Sequence, residues 1–299
     1  MNKLSTDYTG IFSLMLTPYK EDMSVDYDAY EKYADWQVSQ GVGHLFAVCG
    51  SSEMAALTLE ERLKLASLTV KHKGDLTVVA TANMEPSWFA QVEEVKRMSD
   101  TGVDGIVFTT KGYGDDPERL VTYIGELKQY TDLPIFMYEF PGFNHCHISG
   151  ECYGRLVKEC GVLGIKDTTC TYDGIKDKID NKGESCVIQA NMPYLFEAFK
   201  LGARGVMATP TSCGGAFFQR FFEAFTSGDM ALAEQRFNEI TLLDCAIDSG
   251  FNASAKYLVN LQGVGEMSTR TRTGGALSPA RMESIKSFHN WCVANGLMK

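Results

Sequence analysis

The chain has 299 residues, of which 44% are hydrophobic and 22% charged, as expected for a globular protein with one large domain or two smaller ones. It contains no run of about 18 apolar residues, so no segment is predicted to span a membrane. The net charge of −10, without a dense Lys/Arg patch, argues against a nucleic-acid partner and favours a small-molecule one.

Apolar, strand-like runs recur at regular intervals through the chain, and segments with helical spacing lie between them. Thr58–Glu61 is typical of a capping box that opens a helix over Arg62–Lys71, and Pro86 and Pro117 mark the first turns of two further helices. The eight predicted strands are Ile11–Thr17, His44–Cys49, Leu76–Thr81, Gly105–Thr109, Pro134–Tyr138, Val162–Lys166, Cys186–Ala190 and Gly205–Ala208.

This alternation of strands and helices predicts an α/β fold, a (β/α)8 TIM barrel. A doubly wound open sheet is the competing architecture, but it often carries a Gly-rich phosphate loop, and none is found. The predicted barrel domain spans residues 1–225. Residues 226–299 are predicted to form a C-terminal helical subdomain, with helices over Ala231–Ile247, Ala253–Gln262 and Ser278–Ala294.

Two features of the sequence indicate a cytoplasmic protein. The segment Met1–Asp7 has no apolar core and no small-residue cleavage site, so no signal peptide is expected. The nine cysteines are scattered and form no CxxC pair, a pattern that favours free thiols in a reducing compartment.

The sixth predicted strand stops abruptly on a lysine, Lys166, in the run Gly161–Thr169. The pattern suggests a buried strand that brings an amine to its carboxyl end. Burial lowers the pKa of a lysine, and a neutral amine is the nucleophile that forms imines with carbonyl compounds. The alternative is a strand that runs into solvent and leaves Lys166 on a surface loop.

Active residues of such a barrel lie at the carboxyl ends of its strands. Here the first strand ends in Thr17, the second runs into Ser51 and Ser52, the fifth ends in Tyr138 and the sixth in Lys166. An amine, a phenol and small hydroxyls are therefore expected at one mouth of the barrel. This combination suits carbonyl chemistry, in which lysine forms the imine while tyrosine and serine relay protons.

The chain resembles the dihydrodipicolinate synthase and N-acetylneuraminate lyase family of class I aldolases over nearly its whole length. Gly10–Tyr19 is similar to the opening strand of that family, and Gly50–Glu53 to its hydroxyl-bearing loop. Leu133–Pro141 resembles its tyrosine strand, with a Tyr-x-x-Pro motif, and Gly164–Asp167 resembles its Schiff-base lysine strand. The spacing between these last two motifs is fairly specific to the family.

The resemblance implies a set of roles. Lys166 is expected to attack the 2-oxo carbon of pyruvate or a longer 2-oxo acid, and Tyr138 to carry protons to and from the imine. Ser51 and Ser52 take the place of a relay hydroxyl and of contacts to the substrate carboxylate, in either order, because the loop is one residue shorter than in the family. Tyr113 lies near the place of a family tyrosine that a neighbouring subunit contributes, although an ordinary loop tyrosine is an equal alternative.

Some positions depart from the family pattern. The synthase proper has an arginine two residues beyond the Tyr-x-x-Pro proline, where it holds a substrate carboxylate, and this chain has Phe143 there. The departure weakens the interpretation as that synthase and leaves the lyases and dehydratases of the family. Ala190 and Asn191 are expected at the distal end of the substrate. With Thr17 and Phe143 they complete the predicted substrate-binding positions.

Three carboxylates near these motifs are predicted to be structural. Glu139 follows Tyr138 on the strand, so its side chain is expected on the opposite face, among the helices. Asp167 likewise follows Lys166, so its side chain is expected on the face opposite that of Lys166. Glu53 is expected to hold the serine loop.

No cofactor or metal is expected, because a protonated imine is itself the electron sink of class I aldolase chemistry. The run His145–His147 contains three possible ligands in a row, which cannot usually all reach one ion, and no second cluster accompanies it.

The leading hypothesis is a Schiff-base lyase, aldolase or dehydratase that acts on pyruvate or a longer 2-oxo acid. The second is dihydrodipicolinate synthase itself, which condenses pyruvate with aspartate semialdehyde. The third is a non-catalytic 2-oxo acid sensor. The resemblance also implies assembly as a homotetramer or dimer.

Overall fold

Eight parallel strands close into a barrel, which confirms the predicted TIM-barrel fold. Each strand pairs with the next along the chain, and the last pairs with the first. The strands are almost entirely buried, as a parallel sheet covered by helices requires. They are β1 Gly10–Leu14, β2 His44–Phe46, β3 Thr77–Thr81, β4 Gly105–Thr109, β5 Ile135–Tyr138, β6 Val162–Asp167, β7 Cys186–Gln189 and β8 Gly205–Val206.

The computed structural model describes residues 8–247, 251–275 and 277–298. The segment Met1–Asp7, on which the expectation about a signal peptide rests, lies outside them. Within these ranges no helix is both long enough and apolar enough to pass through a lipid bilayer.

Helices cover the outside of the barrel and extend beyond it. The predicted capping box is present, since Thr58 Oγ1 accepts from the Glu61 amide at 3.2 Å and Glu61 Oε2 accepts from the Thr58 amide at 2.9 Å. The helices between and after the strands are α1 Tyr27–Val38, α2 Leu59–His72, α3 Trp88–Asp100, α4 Pro117–Lys128, α5 Gly150–Cys160, α6 Tyr172–Asn181, α7 Leu195–Leu201 and α8 Thr211–Thr226. The C-terminal helices are α9 Met230–Ile247, α10 Asn252–Leu261 and α11 Pro279–Ala294. The division into two domains at residue 225 stays a prediction.

The aromatic side chain of Phe136 fills the barrel interior below Tyr138 and Lys166. A Cβ at Gly105 or at Gly164 would lie 3.0 Å from the Phe136 ring, so the absence of side chains on these flanking strands makes room for it. Tyr138 and Lys166 pair in register across β5 and β6. They lie two residues beyond Phe136 and Gly164 and therefore share the inward face of the barrel.

The loop between α10 and α11 is bound to the loop that follows β2. Glu53 Oε2 accepts from the amides of Arg272 (2.6 Å) and Thr273 (2.9 Å), and Glu53 Oε1 accepts from Lys256 Nζ at 3.2 Å. The Arg272 guanidinium donates to both Glu61 oxygens at 2.7 and 2.8 Å. Glu53 therefore holds the loop, as the sequence predicted, and its partners come from the C-terminal extension.

Replacing Arg272 by alanine is expected to destabilise the protein. The guanidinium also donates to the carbonyls of Met23 and Ala56, and these half-buried acceptors would lose their partner. We expect the free energy of unfolding in urea to fall by about 2 kcal/mol. The control is Arg270→Ala, which removes an exposed arginine from the same loop. Equal stability of the two variants would contradict a role for Arg272 in attaching the loop.

Candidate active site

Lys166 is buried at the mouth of the barrel, which rules out the alternative of a surface loop. Its side chain is 4% exposed, and Nζ lies 4.3 Å from the centroid of the Tyr138 ring and 5.6 Å from that of Phe46. Burial among these rings disfavours the ammonium form and lowers the pKa of Lys166 to about 8, although the nearby Cys49 thiol acts in the opposite direction. The neutral amine is therefore far more populated near neutral pH than it is in an exposed lysine.

Tyr138 lies beside the amine with its hydroxyl against the loop after β2. A Cβ at position 50 would lie 2.8 Å from Tyr138 Oη, so Gly50 permits this close approach of the phenol to the backbone. Burial raises the pKa of Tyr138 well above its usual range. The phenol is therefore protonated at neutral pH and available as a proton donor.

The two adjacent serines face different surroundings. Ser51 lines the cavity and its Oγ lies 2.8 Å from Thr209 Oγ1. Ser52 Oγ instead accepts from the Cys49 amide at 2.6 Å and donates to the Cys49 carbonyl at 2.8 Å. Thr17 is buried beside it and donates to the Ser52 carbonyl at 2.7 Å. Ser51 is thus the serine that can contact a ligand, whereas Ser52 and Thr17 shape the loop.

These loop contacts also explain a difference between the predicted and the observed strands. β1 and β2 each end three residues earlier than predicted, at Leu14 and Phe46. Backbone bonds to the neighbouring strand continue for a residue or so, as from the Met15 amide to the Phe46 carbonyl and from the Ala47 amide to the Val79 carbonyl. Loop hydrogen bonds such as the one between Thr17 and Ser52 then follow. Thr17, the predicted last residue of the first strand, therefore lies in a loop at the mouth.

A cavity of about 540 Å³ opens above Lys166. Five predicted site residues, which follow or end four different strands, line this cavity. They are Ser51, Tyr138, Lys166, Ala190 and Asn191. Both Ala190 and Asn191 donate backbone hydrogen bonds to the Gln189 side chain at 2.8 Å, which orders this part of the wall. The remaining lining residues are Gly50, Phe140, Pro141, His147, Thr168, Cys170, Met207, Thr209 and Phe251.

Besides Thr17 and Ser52, two further predicted site residues do not line this cavity in the single chain. Phe143 lines a smaller neighbouring space of about 210 Å³ with Arg62 and Met84. The Tyr113 ring packs edge-on against Tyr123, with 5.3 Å between the centroids, and Arg119 lies 4.0 Å from it. Neither side chain is among those that line the space above Lys166.

Several lining residues were missed by the sequence reasoning. Thr168 and Thr209 lie within two residues of the ends of predicted strands, so the rule that active residues follow strand ends could have found both. His147 lies well inside the loop between β5 and α5, and Phe251 belongs to the C-terminal extension. No spacing rule in the sequence points to these two.

The face opposite Tyr138 and Lys166 carries a buried charge network. Lys178 on α6 lies 2.9 Å from Glu139 Oε1 and 3.1 Å from Asp167 Oδ1, and none of the three side chains is exposed to solvent. Glu139 also accepts from the amides of Ile148 and Thr168, each at 2.9 Å. The predicted structural placement of Glu139 and Asp167 is thus confirmed by their contacts.

This network keeps Glu139 ionised in spite of its burial. Burial alone raises the pKa of Glu139, but His147, the Lys178 ammonium and the two amides more than offset it and lower the pKa to about 2. Glu139 is consequently a fixed negative charge below the floor of the cavity at neutral pH.

His145 and His147, the two histidines considered as possible metal ligands, contact different carboxylates. His145 pairs with Asp115 on the surface, whereas His147 lies 3.6 Å from Glu139. In the part of the chain that the structure describes, no three His, Cys, Asp or Glu side chains are grouped closely enough to hold a metal ion.

The family assignment follows from a match that covers most of the sequence. A model described as the dihydrodipicolinate synthetase family matches residues 7–282. The chain belongs to this family. The predicted resemblance is therefore confirmed, together with the prediction of an enzyme of the lyase class.

Curated relatives in the family align over nearly the whole chain. The 4-hydroxy-tetrahydrodipicolinate synthase of Phocaeicola vulgatus is 28% identical over 292 residues, which cover 95% of this chain and 96% of that protein. The enzyme of the same name from Parabacteroides distasonis is 29% identical over 262 residues, which cover 85% and 87%. At this level of identity the relatives leave the specific activity within the family open.

Solved structures agree with the fold. The CdNal protein of Clostridium difficile, in complex with mannosamine, superposes with a TM-score of 0.86 at 18% identity over 96% of this chain and 99% of that one. YagE, a prophage protein of the dihydrodipicolinic acid synthase family from Escherichia coli in complex with pyruvate, gives 0.85 at 20% identity over 98% and 99%. Identities this low support the shared fold alone.

Substituting Lys178 by methionine is expected to destabilise the protein strongly. The change leaves two buried carboxylates, Glu139 and Asp167, without their cation, a loss that costs about 3–5 kcal/mol in comparable buried pairs. Urea unfolding measures it. The control is Lys176→Met on the same helix, which removes an exposed pair with Asp180 and is expected to change stability little. Similar stability of the two variants would show that the buried network is dispensable.

Proposed function

We propose that this protein is a Schiff-base lyase that acts on pyruvate or a longer 2-oxo acid through an imine on Lys166. The observation that supports this most is the buried Lys166 amine, whose pKa is lowered to about 8 at the base of a cavity of about 540 Å³. A buried neutral amine beside a proton donor is what imine formation requires. The family membership supports the same chemistry.

In the proposed reaction, the neutral amine of Lys166 adds to the 2-oxo carbon to give a carbinolamine. Protonation of its hydroxyl lets water leave, and the nitrogen retains the positive charge of the iminium. The iminium then accepts the electron pair that is released when the bond between C3 and C4 breaks, or when C3 loses a proton. Reprotonation at C3 and hydrolysis of the imine return pyruvate and the free amine.

Tyr138 and Ser51 have distinct tasks in this scheme. Tyr138 lies beside the amine and is held in the phenol form, so it can give a proton to the carbinolamine oxygen and take one from the cleaved group. Ser51 shares a hydrogen bond with Thr209. This pair offers hydroxyl donors to the C1 carboxylate and can link Tyr138 to the substrate oxygen.

The second candidate function is condensation of pyruvate with aspartate semialdehyde. The names of the two curated relatives favour it. Against it stands Phe143, an apolar side chain at the position of the arginine expected for the synthase, outside the cavity. A sensor without turnover is less well supported, because the amine, the phenol and a cavity hydroxyl are all retained together.

We extend the proposal to the oligomeric state of the protein and to its cellular compartment. Tyr113 lies outside the cavity of its own chain, so a catalytic role for it requires a dimer or tetramer in which it reaches a neighbouring site. Assembly varies among similar folds, since one solved relative is described as a monomeric variant of dihydrodipicolinate synthase. All nine cysteines are free thiols, seven of them buried, which supports a reducing compartment such as the cytoplasm.

Reduction with borohydride in the presence of pyruvate is expected to attach one reduced pyruvate to Lys166. Intact mass and peptide mapping measure the adduct. The trapping rate should rise as pH increases towards about 8, because the neutral fraction of the amine grows until the pKa is passed.

The matched variants for this test are Lys166→Arg and Lys200→Arg. The first removes the nucleophile and should give no adduct, whereas the second changes an exposed lysine on α7 and should react like the parent. An adduct on another lysine, or none at all, would rule out the proposed function.

Tyr138→Phe is expected to separate imine formation from turnover. The ring that packs on Lys166 is kept, so pyruvate should still be trapped, but the loss of the proton carrier should lower kcat by about 100- to 10,000-fold. Cleavage of 2-keto-3-deoxy sugar acids and sialic acid, and condensation with aspartate semialdehyde, measure kcat. Tyr30→Phe, which removes a buried hydroxyl on α1, is the control and should keep activity. Equal losses in both variants would contradict the role of Tyr138.

A further inference from the structure

His147 is a half-exposed side chain on the wall of the cavity. It is 51% exposed, whereas Lys166 is 4% exposed. Both line the same space, so His147 lies towards the open end and Lys166 at the closed end. A substrate bound to Lys166 through its 2-oxo carbon therefore extends towards His147 with the part that lies farthest from the imine.

The charges beneath His147 favour its imidazolium form. The nearest ionisable group is Glu139, directly after β5, at 3.6 Å, and Asp167 at the end of β6 and Lys178 on α6 act on His147 through their charges from the same network. Two carboxylates and one ammonium leave one negative charge in a buried network, and a protonated His147 balances it. The pKa of His147 is accordingly raised, mainly by the Glu139 carboxylate beside it.

The ring also has a hydrogen-bond donor to spare. Nδ1 faces Glu139 Oε2 at 3.6 Å, while Nε2 makes no hydrogen bond to any residue in the described ranges. Asn191, from the loop after β7, lines the same cavity, and its buried Nδ2 also has no partner within those ranges. Two hydrogen-bond donors are therefore left on the wall, and protonation of His147 gives one of them a positive charge.

We propose that His147 binds an acidic group at the distal end of the substrate, so that this enzyme prefers 2-oxo acids whose far end carries a carboxylate. The inference rests on the proposed function, because it takes Lys166 as the anchor of the other end. His147 is assigned as a specificity-determining residue and takes no part in the chemistry of the imine.

A carboxylate fits this subsite better than a neutral or a phosphorylated group. Neutral sugar hydroxyls could accept from His147 Nε2, but the hydrogen bond would lack the added attraction between a cation and an anion. A phosphate needs several donors around its oxygens, as at a helix N-terminus or an arginine fork, and the subsite has one cation and one amide. A carboxylate can accept a charge-assisted hydrogen bond from His147 Nε2, and Asn191 Nδ2 is a further donor on the wall of the same cavity.

The test compares 2-oxo dicarboxylic acids with monocarboxylic acids of equal length. The probes are 2-oxoglutarate, 2-oxoadipate and 2-oxopimelate against 2-oxopentanoate, 2-oxohexanoate and 2-oxoheptanoate. The readout is the concentration that gives half-maximal borohydride trapping on Lys166. The ratio within each pair is used because any effect on the amine cancels. In mildly acidic buffer the best diacid should bind about tenfold more tightly than its monoacid, the gain typical of a hydrogen bond to a charged group.

Substitutions of His147 and measurements at several pH values then test whether this residue causes the preference for diacids. His147→Gln should abolish the preference, and the preference of the parent enzyme should fall as pH rises through the pKa of His147, because the cation is lost. His147→Lys keeps the charge and should retain the preference to higher pH. The matched control is His145→Gln, which changes an exposed histidine paired with Asp115 outside the cavity and should leave the ratio unchanged.

The outcomes separate the two proposals. If pyruvate is not trapped at all, the proposed function fails. If pyruvate is trapped but diacids show no advantage at any length, or if His147→Gln keeps the advantage with the same pH dependence, the subsite inference is overturned. Circular dichroism of each variant checks folding, and the pH dependence of the parent enzyme provides a test that needs no variant.

Discussion

The desolvation of one amine, on Lys166, is the constraint on which the rest of the site depends. Lys166 and Lys178 are both buried near the ends of neighbouring elements, yet their pKa values shift in opposite directions. Rings surround Lys166, whereas two carboxylates contact Lys178. Burial lowers the pKa in the first case, and in the second the carboxylates more than offset the burial.

The alternation of side chains along β5 and β6 keeps these two environments apart. Tyr138 and Lys166 point into the barrel, and the residues that follow them, Glu139 and Asp167, point towards α6. The carboxylates are thereby kept with Lys178 on the helix side of the strands, where they contact an ammonium rather than the reactive amine. Glu139 also lies beside His147, so the network connects the helix-facing side of the strands to the wall of the cavity.

Much of the fold and part of the candidate site could be read from local pattern. The eight strands and the capping box at Thr58 follow from apolar runs and cap residues that act over a few positions. Lys166 and Tyr138 could be found because each lies at the carboxyl end of an apolar run, and barrel strand ends meet at one mouth. Ser51 and Ser52 could not be told apart, because only the bonds of Ser52 to Cys49 turn its hydroxyl away from the cavity.

The sequence by itself determined the elements and the two strand ends that carry the amine and the phenol, because both are set by short-range periodicity. Tertiary structure alone decided the surroundings of each group. It decided that Phe143 lies outside the cavity, that Phe251 from the C-terminal extension reaches it, and that His147 stands over Glu139 at its open end. These facts depend on the path of an irregular loop, for Phe143 and His147, and on the meeting of segments far apart in the chain, for Phe251, and no periodic pattern encodes either.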